Sequence, residues 1–146
     1  MKRVIKTSID IHVPPEKVWE VLMDFPRYSE WSKYLLSVEG RAVPGSYLYV
    51  TQISANGKER EFKSMVLQAT PPRSFRWLEH LLVPGLLDRE HEFALEYQFG
   101  GHTRVRQTEE YGGFLTLFFA QWFDPPVESD FTAFNRALKK RAESRR

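Results

Sequence analysis

His91 and Glu109 are the two side chains in this sequence whose types could do chemistry together. An imidazole and a carboxylate within reach can pass a proton. A carboxyl group desolvated among aromatic rings would have its pKa raised toward the range of a general acid. Glu79 carries the same ambiguity, and Tyr49 or Gln107 could position a substrate. Other constellations are missing. His12, His80, His91 and His102 fall on separate strands or turns without ligand spacing, so no metal is expected. Ser29, Ser32 and Ser64 lie in no nucleophile-elbow context, and there is no glycine-rich phosphate loop, so no cofactor is expected either. The chain has no cysteine, which removes thiol chemistry and disulfides.

Whether His91 and Glu109 meet depends on the strands that carry them. Val4 to Val13 alternates, with Ile5, Thr7, Ile9, Ile11 and Val13 on one face and polar residues on the other, as in a strand with one wet side. Pro14-Pro15 ends it and opens a short helix, Glu16 to Asp24. Pro26 breaks that helix, and Arg27 to Tyr34 reads as a second. Six strands follow: Leu36 to Gly40, Ser46 to Ser54, Lys58 to Thr70, Ser74 to Val83, Asp88 to Phe99 and Thr103 to Tyr111. Asn56-Gly57 signals a two-residue hairpin, which sets Thr51 against Phe62, Tyr49 against Ser64 and Tyr47 against Val66. After Phe99 a three-residue loop, Gly100 to His102, sets Tyr97 against Val105 and Phe93 against Glu109. A two-residue loop would match apolar to basic side chains. On this register His91 and Glu109 are diagonal neighbours on the inner face.

One element remains to cover that face. Asp124 to Glu143 reads as a long amphipathic helix, with Asp124 as cap, Pro125 in the first turn, and Val127, Phe131, Phe134 and Leu138 in one stripe. An antiparallel sheet with one wet face needs its other face buried, and only this helix is long enough. The expected fold is α+β: a curved seven-stranded antiparallel sheet wrapped around a long C-terminal helix, with two short helices after the first strand, in one domain spanning 1–146. Two readings of the helix stripe stay open. Phe131 and Phe134 are either plain core or the floor of a cavity.

Four stretches carry a family resemblance: Ile9-Asp10-Ile11 followed by Pro15-Glu16-Lys17-Val18-Trp19; Asp24-Phe25-Pro26-Arg27-Tyr28-Ser29-Glu30-Trp31; Asp88-Arg89-Glu90-His91-Glu92-Phe93; and Thr108-Glu109-Glu110-Tyr111-Gly112. With them the chain resembles the helix-grip fold of the START-like superfamily, in its polyketide cyclase/dehydrase-like (SRPBCC) branch. The resemblance implies an apolar ligand between sheet and helix. No catalytic set of the aromatase/cyclase members maps onto this chain, and Ser32-Lys33-Tyr34 stands where the family often has a proline.

The expected ligand-binding residues are Trp31, Tyr49, Phe62, Ser64, Trp77, Glu79, Phe93, Leu95, Tyr97, Gln107, Phe118, Phe131 and Phe134, with His91 and Glu109 as the acid/base candidates. Three functions compete. The first is binding of an apolar or aromatic small molecule, lipid or polyketide-like. The second is a cofactor-free cyclase or dehydratase. The third is a protein contact through Phe114 to Phe123, which is apolar on nearly every side and is expected to form a lid or a homodimer contact. That run is too short to span a bilayer, although its apolar surface would suit contact with one. A formal charge of +2, concentrated at the C-terminus, gives no basis for nucleic-acid binding. The N-terminus lacks the apolar run of a signal peptide, so a cytoplasmic location is expected.

Overall fold

The computed structural model describes residues 3–54, 57–80, 85, 87–113 and 128–144. Seven strands form one curled antiparallel sheet that grips the C-terminal helix. In chain order they are β1 (Arg3–Ile11), β2 (Leu35–Glu39), β3 (Tyr47–Ile53), β4 (Glu59–Thr70), β5 (Ser74–His80), β6 (Asp88–Gln98) and β7 (His102–Gly112). Their spatial order is β1-β7-β6-β5-β4-β3-β2. Helix α1 (Pro15–Met23) and a 3-10 helix (Phe25–Glu30) follow β1, and α2 (Glu128–Ser144) closes the chain. The second short helix is thus a single 3-10 segment, ending at Glu30 rather than Tyr34. Asp124, Pro125 and Val127 lie outside the described residues, as does the whole Phe114 to Phe123 run.

Period-two alternation explains β1 well. Ile11 and Val13 are buried, while Lys6, Ser8, Asp10 and His12 are exposed. The helix stripe also holds: Phe131, Phe134, Leu138 and Ala142 are buried. Asn135 shares the stripe, one turn beyond Phe131, and is buried as well. The end of α2 is tied to β1 by polar contacts. Lys139 Nζ donates to the Asp10 carbonyl at 2.8 Å and to Glu143 Oε2 at 2.7 Å, and Glu143 accepts the His12 N–H at 2.8 Å.

The β3–β4 register differs from expectation by one residue, and this corrects the face of β3. Val50 lies opposite Phe62 and Leu48 opposite Ser64, so Leu48, Val50 and Gln52 point inward. Tyr47 and Tyr49 point outward, 48% and 58% exposed. The Ser54 N–H donates to the Lys58 carbonyl at 3.0 Å, which leaves three residues in the loop where the Asn-Gly rule leaves two. A one-residue change of loop length turns every side chain of one strand over. Both faces of β3 are apolar, so its composition did not reveal the error; two compact aliphatics fill the core better than two phenols that need partners. Truncating Val50 to Ala should therefore lower unfolding free energy by about 2 kcal/mol, and Tyr49 to Ala by under about 1. Urea denaturation that ranks the two the other way would contradict this register.

The β6–β7 turn behaves differently. Gln98 pairs with His102, so the three loop residues are Phe99, Gly100 and Gly101, one position earlier than expected. Gly100 and Gly101 have φ of 92° and 82°, a conformation that other residues adopt only with strain. The shift moves each pairing by two residues and so preserves the faces. His91 becomes the direct partner of Glu109 rather than a diagonal neighbour.

Candidate functional site

Inner-face positions on β4 to β7 assemble a buried polar cluster. His91 and Glu109 stand opposite each other, 3% and 1% exposed, with His91 Nδ1 2.6 Å from Glu109 Oε2. Glu109 also accepts from the Tyr111 hydroxyl. Arg89 is fully enclosed. Its Nη2 lies 2.7 Å from Glu79 Oε1, and its Nη1 lies 3.3 Å from Glu109 Oε1. Glu79 also accepts from both terminal guanidinium nitrogens of Arg60, at 2.7 and 2.8 Å, and shares its Oε1 between the two arginines. The Arg60 and Arg89 guanidinium groups stack on Phe62, 4.4 and 4.5 Å from its centroid. Two cations and two carboxylates thus alternate across the sheet, an arrangement that a low-dielectric interior tolerates only when the charges are paired.

This pairing overturns the expected protonation of Glu109. Burial pushes its pKa up, but the Arg89 charge and the hydrogen bonds from His91 and Tyr111 outweigh burial and hold it at about 2. Glu109 is therefore held as a carboxylate, the form that accepts from Tyr111 and faces Arg89. Burial works against the charge of Arg89, yet Glu109 and Glu79 keep its pKa above the ordinary value. Burial and the adjacent Glu109 charge push the Tyr111 phenol up as well.

An ionised carboxylate only accepts, so the His91 Nδ1 facing it carries a proton. Its Nε2 lies 2.9 Å from Gln107 Oε1. Gln107 Nε2 donates to Asn135 Oδ1 at 2.7 Å, and Asn135 Nδ2 donates to Thr7 Oγ1 at 2.9 Å. The imidazole is stacked on Trp77 at 5.1 Å and meets Phe93 and Phe131 at 4.9 and 5.4 Å. Glu109 and His91 have the geometry of an orienting acid and a base, but Gln107 holds the nitrogen that a substrate would need.

The remaining expected residues separate into groups. Ser64, Trp77, Phe93, Leu95 and Phe131 are buried core. Ser64 Oγ, Trp77 Nε1 and Arg89 Nε have no hydrogen-bond partner among the described residues. Phe134 packs directly on Phe93, ring centroids 5.6 Å apart, and Phe131 packs on Tyr34 at 5.8 Å. Both phenylalanines thus meet aromatic neighbours, Phe134 one from β6 and Phe131 one from the segment before β2. Tyr49 faces away from the core for the register reason above. Tyr97 has the inward parity but sits at the strand end beyond the core, 65% exposed. Phe118 lies outside the described residues.

Open space lies beside α2. A groove of about 500 Å3 runs between the Glu30–Tyr34 segment and the helix. Trp31, Tyr34, Ala133, Phe134 and Ala137 give it apolar walls, and Glu30, Lys33, Lys140 and Arg141 line it with charge. Trp31 and Phe134 are the two expected residues in it, with their rings 5.2 Å apart. Ser32 fixes the wall by accepting the Leu35 N–H at 3.0 Å, and the Tyr28 hydroxyl does so by donating to the Leu22 carbonyl at 2.5 Å. Small residues at 133 and 137, on the helix face that carries Phe134, leave the groove its width.

Sequence reasoning missed Arg89, Arg60, Asn135 and Tyr34. Arg89 shares the parity of His91 and Phe93, and Asn135 is four residues from Phe131, so periodicity alone places both inward. Tyr34 belongs to no periodic element. No helix among the described residues is long and apolar enough to cross a membrane.

The family described as "Polyketide cyclase / dehydrase and lipid transport" matches residues 2–143, and the chain belongs to it. No curated protein sequence matches the chain. Among solved structures, it is similar to the Zhui aromatase/cyclase from Streptomyces sp. R1128, with TM-score 0.76 and 19% identity over 99% of this chain and 96% of that one. A START superfamily protein from Mycobacterium smegmatis gives TM-score 0.72 and 14% identity over 97% of each chain. Norcoclaurine synthase from Thalictrum flavum, solved with dopamine and hydroxybenzaldehyde, gives TM-score 0.71 and 11% identity over 100% of this chain and 89% of that one.

Proposed function

We propose that this member of the polyketide cyclase/dehydrase and lipid transport family binds an apolar or aromatic small molecule in the groove between the Trp31 segment and α2. The groove itself carries the reading. Its volume of about 500 Å3 suits a small ligand, and its walls are aromatic rings and alanine methyl groups. Rings that form such walls offer large apolar contact at little conformational cost. The norcoclaurine synthase complex, on a similar fold, holds two aromatic small molecules, which supports the ligand class.

Binding is favoured over catalysis by the state of His91. Both ring nitrogens are engaged, and Trp77, Phe93 and Phe131 cover its surface. A base needs a free lone pair aimed at space, whereas Nε2 faces the Gln107 amide oxygen, an acceptor that only an N–H can satisfy. The polar cluster is better suited to holding four sheet strands and α2 in one arrangement.

The groove is tested by filling it. Ala137→Trp should weaken binding of the neutral fluorescent probe Nile red at least about ten-fold, while helix propensity changes by only about 0.5 kcal/mol. The fluorescence titration is read beside the thermal unfolding of the same variant. Unchanged Nile red affinity in a folded Ala137→Trp protein would place the ligand elsewhere.

A further inference from the structure

We propose that the groove selects an organic anion: an aliphatic or aromatic body lying on Trp31 and Phe134, with an acidic head group received by Lys33 and Lys140. This rests on the groove being the ligand site and names the chemistry that the site prefers.

Three consecutive basic residues near the end of α2 have different fates. Lys139 is spent on β1 and on Glu143, at 2.8 and 2.7 Å. Arg141 reaches across the groove and holds Glu30 at 2.6 Å, so that pair braces the helix against the 3-10 segment and cancels in charge. Lys140, between them, is exposed, lines the groove and has no ion-pair partner among the described residues. Lys33 on the facing wall is in the same condition. The helix dipole favours cations toward the helix C-terminus, which bears on Lys140 but not on Lys33. Lys33 stands in a loop segment pinned through Ser32, so its backbone is fixed while its ammonium group is left over. Two cations unspent among the described residues face one apolar groove, and Glu30, the one carboxylate among its described lining residues, is already neutralised; this complements a ligand that carries its own negative charge.

A matched pair of probes separates this from plain hydrophobic binding. Decanoate and decanol share a chain, but an ionised head group resists desolvation, so an apolar groove without usable cations prefers the alcohol. Decanoate should displace Nile red from the wild-type protein at about ten-fold lower concentration than decanol, as expected for one to two charge-assisted contacts. The double variant Lys33→Gln/Lys140→Gln should lose that preference while its decanol displacement stays within about two-fold, and salt should narrow the wild-type difference. Equal displacement by both probes from the wild type would overturn the anion proposal and leave the groove as the binding site. A preference that survives in the lysine variant would overturn it too. Displacement by neither probe, with Nile red binding insensitive to Ala137→Trp, would overturn the anion proposal and the groove together.

Discussion

Replacing Arg89 by Met should lower the unfolding free energy by about 3–5 kcal/mol, the largest single-residue effect expected in this chain. Met has similar length and can lie on Phe62 as the guanidinium group does, so little packing is lost. What changes is electrostatic. Glu109 keeps its His91 and Tyr111 hydrogen bonds but loses the cation 3.3 Å away, and Glu79 is left to Arg60 alone. Both carboxylates are enclosed, and an uncompensated buried charge is far costlier than the pair it came from was stabilising. Glu109→Gln in the same background removes the charge that Arg89 served. It should recover at least about 1 kcal/mol relative to the sum of the single changes. Urea denaturation of the four proteins gives the cycle. An Arg89→Met loss below about 1 kcal/mol would mean that water reaches the cluster.

This cluster also shows where sequence patterning reaches its limit. The seven strands, their order in the chain, the long helix and the inner face of β6 and β7 follow from alternation and turn residues, because each is decided over a few neighbouring positions. The meeting of His91 with Glu109 follows from the same parity. Arg89 was equally placed by parity, yet a lone arginine in a strand reads as surface until its partners are known. Those partners, Glu79 and Glu109, come from the two neighbouring strands, β5 and β7. The β3 error is of another kind. The Asn-Gly signal is local and strong, but the sheet chose the register that buries Leu48 and Val50, and only long-range packing knows that. The groove was half visible. Trp31 and Phe134 were both candidates on general grounds, but nothing in the sequence brings residues 31 and 134 together or shows that 133 and 137 are small for a reason.

Acidification should act on the same cluster, with a sign fixed by Glu109. Its carboxyl group titrates at about 2 in the fold against 4.5 ordinarily, so the folded protein holds the ionised form more firmly than the unfolded chain does. At any pH between these values the unfolded chain binds more protons, and stability falls as pH falls. The contribution is fully present above about pH 4.5 and is lost as pH drops through about 2; at about 1.4 kcal/mol per unit it is on the order of 3 kcal/mol. Gln is a close mimic of the protonated carboxyl: same shape, no charge, one side able to donate. Glu109→Gln should therefore be less stable than the wild type at pH 7 by a few kcal/mol. The gap should narrow below pH 4.5 and nearly close near pH 2. Other carboxyl groups also have lowered pKa, Asp10, Glu96 and Glu143 among them. They are common to both proteins and cancel in the difference. Chemical denaturation at a series of pH values measures that difference directly. A gap that stays constant from pH 7 to pH 2 would show that Glu109 is not held ionised by Arg89 and His91.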